Sequence, residues 1–426
     1  MKNRDGIVRV GGVGTGRIFQ WAHLNPYLRL MDRARLTSFY DVMPERAREA
    51  RDKYAKVLSD FAQASPQWAS ACEENLAELK VCESLDELLD AVDLIDICTT
   101  TRGRMDAAVA ALKKGVHSMG EKPMARTWLE ADHAARAFAK HRNVFFQLND
   151  DNVFDPKYLA MRDLLAQGVI GRPHSVWIIR GSRLDSKSVL KSQANALSNG
   201  GGCLMDYGSH GLAGVWSVLG ARWQFRRVEA VSIGVRFRHR VLEKDLEPYV
   251  MEVDDNAWFK ALLEDPATGS WVDVFMEATW CGGHIGPRSM RKDIGGGGFF
   301  RIEGDDGMLD ASEPNKIVLQ RWDGGETVFP MREAPGETVS FNAEIETMVE
   351  CVRRGTAPEV DVHFGAEIIA VCDAAYWSAI EKRAVTLDEF KAHCREYVQQ
   401  HGDTEEASLA LLGDLMKPYA YGGKTL

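Results

Sequence analysis

Short apolar runs alternate with segments of helical periodicity along the first third of the chain. Each run ends at a polar or glycine-containing turn; the runs are Ile7–Val10, Leu36–Tyr40, Leu94–Cys98, Val116–Met119 and Val144–Leu148. Strand–helix alternation of this kind is typical of a parallel sheet covered by helices. It predicts a doubly wound α/β domain over residues 1–148.

A different pattern follows the polar turn at residues 149–152. Longer β-rich runs are joined by irregular segments, at His174–Arg180, Glu229–Arg238, Asn256–Leu263, Trp271–Trp280 and Phe299–Glu303. Runs of this length and spacing favour a large, mostly antiparallel open sheet. The sequence therefore predicts a second α/β domain over residues 149–387, followed by a helical extension over residues 388–426.

Composition narrows the class of protein. The 426 residues are 45% hydrophobic and 27% charged, as in ordinary globular proteins. The net charge of −10 argues against a nucleic-acid partner. No apolar run approaches the roughly eighteen residues that predict a membrane span. The eight cysteines include no Cys-x-x-Cys pair, so we expect a reduced, cytoplasmic protein without a structural zinc site.

A glycine loop, Gly12-Val13-Gly14-Thr15-Gly16, lies between the first strand and a helix expected near Arg17. Glycines at such a turn let the backbone approach the pyrophosphate of a dinucleotide, and the helix N-terminus supplies N–H groups. The third glycine of the usual pattern is replaced by Phe19, which we expect to pack beneath the cofactor. The loop predicts a nucleotide site.

Asp41 ends the second predicted strand, where an acidic residue can accept hydrogen bonds from the adenosine ribose. The next residues, Val42 and Met43, offer no cation for a 2′-phosphate, so NAD is favoured over NADP. The other interpretation is that Asp41 only caps the helix that begins at Pro44.

Two further motifs suggest proton and hydroxyl chemistry. Lys122, in Glu121-Lys122-Pro123, follows a strand end, where its ammonium group could be held against a substrate hydroxyl. Asp206 and His210 are four residues apart, so on one helix face the carboxylate could orient a neutral imidazole as general base. An ordinary surface pair is the alternative, but the glycine run before it favours close approach of a ligand. No cluster with metal-ligand spacing is present, so we predict no metal site.

Taken together, these residues resemble the glucose–fructose oxidoreductase / inositol dehydrogenase / MocA (Gfo/Idh/MocA) family. The resemblance also includes His23, Leu94–Thr99, Phe154-Asp155-Pro156 and Gly201-Gly202. It implies an N-terminal Rossmann domain that binds NAD and a C-terminal α/β domain whose open sheet forms a homodimer or homotetramer. The cofactor residues that it implies are Gly12, Gly14, Thr15, Gly16, Arg17, Ile18, Phe19, Asp41, Thr99, Thr100, Glu121 and Lys122.

The resemblance implies an oxidoreductase that acts on a secondary alcohol of a sugar, sugar derivative or cyclitol, with Lys122, Asp206 and His210 as catalytic residues. Two alternatives stay open: a redox-assisted lyase or glycosidase that keeps NAD bound, and a non-catalytic NAD-binding regulator. Specificity is expected in the loops that carry Arg180, Arg183 and His284. Departures from the family pattern, which make the substrate uncertain, are Thr100, Arg104, Asn152, Val153 and Ala213.

Overall fold

The computed structural model describes residues 6–184, 194–240, 249–282, 298–313, 315–331 and 338–420. The chain forms two compact units. The first contains Met1–Met124, Asp132–Asp151 and Pro335–Gly365, and the second contains Ala125–Ala131, Asn152–Ala334 and Ala366–Leu426. Residues 335–365, which the sequence pattern placed in the second domain, therefore belong to the first unit.

The strands of the described residues fall into two main sheets and one short pair. In chain order they are β1 Val8–Val13, β2 Ala34–Tyr40, β3 Lys80–Val81, β4 Leu94–Ile97, β5 His117–Glu121, β6 Phe146–Asn149, β7 Pro173–Gly181, β8 Gln224–Gly234, β9 His239–Arg240, β10 Tyr249–Val250, β11 Asn256–Asp265, β12 Ser270–Thr279, β13 Phe299–Gly304, β14 Gly307–Asp310, β15 Lys316–Arg321, β16 Glu326–Pro330 and β17 Val385–Thr386.

The α-helices of the same residues connect these strands or follow them. They are α1 Pro44–Ala64, α2 Ala69–Glu78, α3 Leu85–Ala91, α4 Thr101–Lys113, α5 Trp128–Phe138, α6 Pro156–Ala166, α7 Ala196–Asn199, α8 Ser209–Leu219, α9 Thr338–Arg354, α10 Val362–Glu381, α11 Leu387–His401 and α12 Glu405–Met416. None of them is both long and apolar enough to cross a membrane.

The first unit is built on a six-stranded sheet with the order β3-β2-β1-β4-β5-β6. Every neighbouring pair is parallel, which confirms the predicted doubly wound sheet. In this order β1 and β4 lie side by side where the direction of winding reverses. The carboxyl ends of strands at such a switch point are the usual ligand site of open α/β sheets.

The segment after β1 is irregular. In place of a regular helix, the chain forms a π-helical turn at Phe19–His23 and a 3₁₀ turn at Asn25–Arg29. Pro26 lacks an N–H group and disfavours the helical conformation of the residue before it, so a regular α-helix is interrupted there. This turn places His23 inside the unit, fully buried.

Apolar residues of β1, β2 and β4 form the core of the first unit together with one face of α9. Ile345, Met348, Val349 and Val352 of α9 are buried in this cluster. The spacing of these residues is helical, so the sequence predicts the helix but not the sheet against which it packs. Helix α9, which lies far along the chain from these strands, thus completes the core of the first unit.

The second unit contains a nine-stranded sheet with the order β16-β15-β14-β13-β7-β12-β11-β8-β17. Only β7 and β12 pair in parallel; the other described neighbours are antiparallel. The predicted large, mostly antiparallel sheet is confirmed. The expected extension, with α11 and α12, belongs to this unit.

Candidate functional site

The glycine loop lies against the segment that follows β4. Gly14 has a φ of +80°, and a Cβ atom there would lie 2.6 Å from the Thr99 backbone nitrogen. A side chain at Gly12 would overlap the ring of Phe19, which is fully buried. Gly16, by contrast, has no atom within 4 Å of its Cβ position. The loop therefore needs glycine at positions 12 and 14 because protein atoms already occupy that space.

Asp41 binds this loop through backbone contacts. One carboxylate oxygen accepts a hydrogen bond of 2.8 Å from Thr15 N–H, and the other accepts one of 2.9 Å from Met43 N–H. The side chain therefore orders the glycine loop as well as the turn before α1. Each oxygen keeps a second lone pair, so a ribose contact at Asp41 is compatible with the geometry and stays a prediction.

Two hydroxyl groups at this loop lack a hydrogen-bond partner among the described residues. They are Thr15 Oγ1 and Thr99 Oγ1, both inaccessible to solvent. Buried polar groups are nearly always hydrogen-bonded, so unpaired hydroxyls beside a glycine loop fit a polar ligand such as a nucleotide phosphate. Ile18 is half-buried, whereas Arg17 and Thr100 are exposed, Thr100 at the N-cap of α4.

Lys122 is half-buried and follows β5 directly. The carbonyl oxygen of Pro123, on the other side of the cis Lys122–Pro123 bond, accepts a hydrogen bond from the Arg104 guanidinium. A second Arg104 nitrogen donates to Thr99 O at 2.7 Å. Arg104 is buried, and this burial lowers its pKa to about 10. The arginine that departs from the family pattern therefore ties the Lys122 turn to the segment after β4.

A chain of hydrogen bonds runs beneath these loops. His23 Nδ1 pairs with Asp96 at 2.9 Å, and His23 Nε2 pairs with Glu121 at 3.1 Å. Tyr27 donates to the same Asp96 carboxylate at 2.8 Å. Burial opposes the imidazolium, but Asp96 raises the pKa of His23 well above its ordinary value. Burial likewise opposes ionisation of Glu121, yet His23 and the nearby cations lower its pKa.

Glu344, on α9, lies next to this chain. Its carboxylate is fully buried, with Oε1 3.9 Å from His23 Nε2. Neither oxygen has a hydrogen-bond partner among the residues that the structure describes. Burial, and then the charge of Glu121, raise the pKa of Glu344 well above its ordinary value. The surroundings of Glu344 therefore oppose its ionisation.

In the second unit, Asp206 and His210 lie on consecutive helical elements. Asp206 belongs to a π-helical turn, Leu204–Gly208, and His210 to α8. Asp206 is buried and accepts a hydrogen bond of 3.0 Å from the indole N–H of Trp280. His210 is half-buried. Trp280 fixes the Asp206 carboxylate, while the role of Asp206 as partner of the His210 ring stays a prediction.

The glycine run before Asp206 packs closely against protein, while close approach of a ligand to this backbone stays a prediction. Side chains at Gly200, Gly201 and Gly202 would overlap Arg126, Tyr376 and Asp254, respectively. Asp254 is fully buried and accepts hydrogen bonds of 2.9 Å from the backbone N–H groups of Gly202 and Leu204. The glycines therefore let the chain wrap around one carboxylate.

The three proposed substrate residues differ in their surroundings. Arg180 donates to Asn152 Oδ1 at 2.7 Å, and Asn152 Nδ2 donates to His210 O at 2.9 Å. Asn152, one of the departures from the family pattern, thus links Arg180 to the start of α8. Arg183 is exposed, and its backbone forms an isolated bridge with Cys281. His284 lies outside the described residues.

Several residues that shape these sites were missed from the sequence. Asp96 and Asp254 are buried carboxylates that accept hydrogen bonds from loops or turns, and Glu344 is a buried carboxylate on a helix. Asp96 had a signal, since it is the one charged residue of the apolar run Leu94–Cys98, and a charge in a buried strand needs a partner. Asp254 and Glu344 have no comparable local signal.

Comparison with known proteins matches both parts of the chain. The oxidoreductase family with an NAD-binding Rossmann fold (GFO_IDH_MocA) matches residues 8–149. The GFO/IDH/MocA C-terminal domain matches residues 158–309. Together the two matches cover more than half of the chain.

Individual relatives agree with these matches. The myo-inositol 2-dehydrogenase of Thermotoga maritima is 22% identical over 396 residues, which are 90% of this chain and 99% of that protein. The inositol 2-dehydrogenase of Serratia proteamaculans is 26% identical over 168 residues, 39% of this chain and 43% of that protein. Among solved structures, levoglucosan dehydrogenase in complex with NADH and levoglucosan has a TM-score of 0.71 at 19% identity, over 89% of this chain and 99% of that chain. This last similarity shows the fold.

The two loop glycines form a matched pair for mutation. We expect Gly14→Ala to lower the midpoint of thermal unfolding by at least about 2 °C, because a left-handed alanine costs roughly 1–2 kcal/mol and its Cβ would meet Thr99. Gly16→Ala, with open space around its Cβ, serves as the control and should change the midpoint by less than about 1 °C. Differential scanning calorimetry without nucleotide measures both; equal midpoints would contradict the packing described.

Proposed function

Because the chain belongs to the GFO/IDH/MocA family, whose first domain is an NAD-binding Rossmann fold, we propose that it is an NAD-dependent dehydrogenase. It moves a hydride between a secondary alcohol of a sugar, sugar derivative or cyclitol and the nicotinamide. The observation that carries this proposal is the position of Lys122 at the carboxyl end of β5. The residues on either side of it are fixed, Pro123 by Arg104 and Glu121 by His23. A cation fixed in advance stabilises a developing alkoxide better than a mobile one.

The residues divide the chemistry between them. NAD, when bound, supplies the nicotinamide that accepts the hydride. His210 takes the hydroxyl proton on a ring nitrogen, and Asp206 keeps that ring oriented. Lys122 holds its ammonium group against the hydroxyl oxygen while negative charge develops there. In the reverse direction His210 returns the proton to the carbonyl oxygen.

The substrate class rests on the relatives. The Thermotoga maritima protein is named for myo-inositol, and the solved levoglucosan dehydrogenase holds an anhydrosugar. Both compounds carry several secondary hydroxyls on a ring. A cyclic polyol is therefore the class with which to start a substrate screen.

The preference for NAD over NADP rests on the end of β2. Asp41 is buried with its carboxylate at the glycine loop, and Val42 after it is 84% exposed. A 2′-phosphate near Asp41 would be repelled, and neither Val42 nor Met43 offers a compensating positive charge. The unmodified 2′-hydroxyl of NAD suits this position.

The catalytic roles are tested with four variants against a panel of sugars, sugar acids and inositols. We expect His210→Ala to lower kcat about 10²–10⁴-fold and Lys122→Ala about 10²–10³-fold, with NAD binding retained. His174→Ala and Lys140→Ala change exposed residues of the same types and should leave kcat unchanged. NADH absorbance in steady state measures turnover, and fluorescence titration measures NAD binding.

Two results would contradict this assignment. Turnover that survives both Lys122→Ala and His210→Ala would remove their catalytic roles. Product formation without net NADH would favour the redox-assisted lyase or glycosidase instead.

Cofactor choice is tested at the exposed position after Asp41. Val42→Arg places a cation where a 2′-phosphate would lie, so kcat/KM for NADP should rise about tenfold, or roughly 1.4 kcal/mol. Val42→Glu, with the opposite charge, should lower it further. If neither variant changes the NAD-to-NADP ratio of kcat/KM, the 2′ position of the ribose does not lie at Val42.

We also propose that the protein is a homodimer or homotetramer through the nine-stranded sheet. Strands β12 and β8, which flank β11 in this sheet, expose Trp271 (66%) and Val231 (55%), and exposed apolar groups of this size mark association surfaces. Trp271→Glu should then shift the sedimentation coefficient toward the monomer. Trp21→Glu, at a tryptophan 49% exposed in the first unit and outside this sheet, is the control; equal effects or none would count against the sheet as the interface.

A further inference from the structure

We propose that His23, Glu121 and Glu344 together bind one divalent cation of the zinc type, through His23 Nε2 and one carboxylate oxygen of each glutamate. All three residues belong to the first unit. No local motif indicates this site, because 98 positions separate His23 from Glu121 and 223 positions separate Glu121 from Glu344. An ion here would take the place of the His23–Glu121 hydrogen bond in fixing the end of β5 before Lys122, and its presence is tested apart from the proposed dehydrogenase reaction.

The separations of the three ligand atoms suit such an ion. His23 Nε2 lies 3.1 Å from Glu121 Oε1 and 3.9 Å from Glu344 Oε1. The ligand atoms of all three residues lie within 4.8 Å of one another. Zinc bonds to histidine nitrogen and carboxylate oxygen are about 2.0–2.2 Å long, so ligand atoms on one ion are roughly 3–4 Å apart. The side chains can therefore converge on one ion without a change of fold.

Glu344 supplies an independent sign of a ligand. It is a carboxylate with no exposure to solvent and with no hydrogen bond to either oxygen within the described part of the chain. An unsatisfied buried polar group of this kind calls for a water or an ion. Two acidic side chains face the same imidazole nitrogen, His23 Nε2, at this point. A cation satisfies both carboxylates at once.

The other side of the His23 ring is already arranged as metal-binding histidines require. Nδ1 pairs with Asp96 at 2.9 Å, and Tyr27 donates to the same carboxylate at 2.8 Å. A carboxylate on the far nitrogen fixes the ring orientation and the tautomer and leaves Nε2 for the ion.

Metal content tests the site directly. The full-length protein, with any affinity tag removed, is loaded separately with Zn²⁺ and with Co²⁺, desalted and analysed by plasma mass spectrometry. We expect about one equivalent per chain, and visible absorption from the Co²⁺ form. Mg²⁺ in excess should not displace either ion, since one nitrogen ligand disfavours magnesium.

Two glutamates of α9 make a matched pair. Glu344→Gln removes a ligand oxygen while it keeps the size and shape of the side chain, so it should fold, as circular dichroism can verify. It should weaken Co²⁺ binding by more than about 100-fold. This exceeds the loss in affinity expected when a residue that only hydrogen-bonds to a metal ligand is changed. Glu346→Gln changes an exposed residue two positions away, paired with Arg33, and should bind Co²⁺ as the parent protein does.

Two results would overturn the metal-site proposal. Less than about a tenth of an equivalent of metal in the loaded parent protein would overturn the proposal and leave a buried water as the occupant. Equal Co²⁺ affinity in Glu344→Gln and Glu346→Gln would also overturn it, since the ion would then lie elsewhere. Loss of dehydrogenase turnover bears on neither result, because metal content is measured without substrate.

Discussion

The buried hydrogen-bond chain through His23 holds the first unit in its working shape. An imidazole with no solvent contact can keep its charge only if both ring nitrogens have anionic partners, and Asp96 and Glu121 provide them. Asp96 belongs to the middle of β4, Glu121 is the last residue of β5, and His23 ends the turn after the glycine loop. These ionic hydrogen bonds therefore fix the turn after β1, strand β4 and the end of β5 relative to one another. Lys122 directly follows Glu121.

Buried carboxylates also fix loops and turns elsewhere in the molecule. Asp41 accepts two backbone N–H groups at the glycine loop, and Asp254 accepts two at the turn that leads to Asp206. In both places the acceptor is a carboxyl group and the donors are main-chain groups. Each unit thus shapes one loop or turn through hydrogen bonds from the backbone to a buried side chain.

Much of the fold could be predicted from local patterns, and the failures have a common cause. Strand–helix alternation identified the parallel sheet, and long β-rich runs joined by irregular segments identified the second sheet, because burial on one or two faces leaves a local trace. The glycine loop and Lys122 were found because their chemistry depends on short spacing. The partner of α9, the contacts of Arg104 and the convergence of Glu344 on His23 depend on residues far apart in sequence. The π-helical turn at Phe19–His23 arises from one proline and one buried ring, which no periodicity records.

The glycine run at residues 200–202 has a consequence for how this protein can vary. The backbone of these three glycines lies so close to Arg126, Tyr376 and Asp254 that no side chain fits at any of the three positions. A saturation mutagenesis scan would find these positions as intolerant as a catalytic residue, although they contact only protein. Intolerance in the loop before Asp206 would reflect packing density, and a map of fitness costs over this segment would trace its contacts with Arg126, Tyr376 and Asp254.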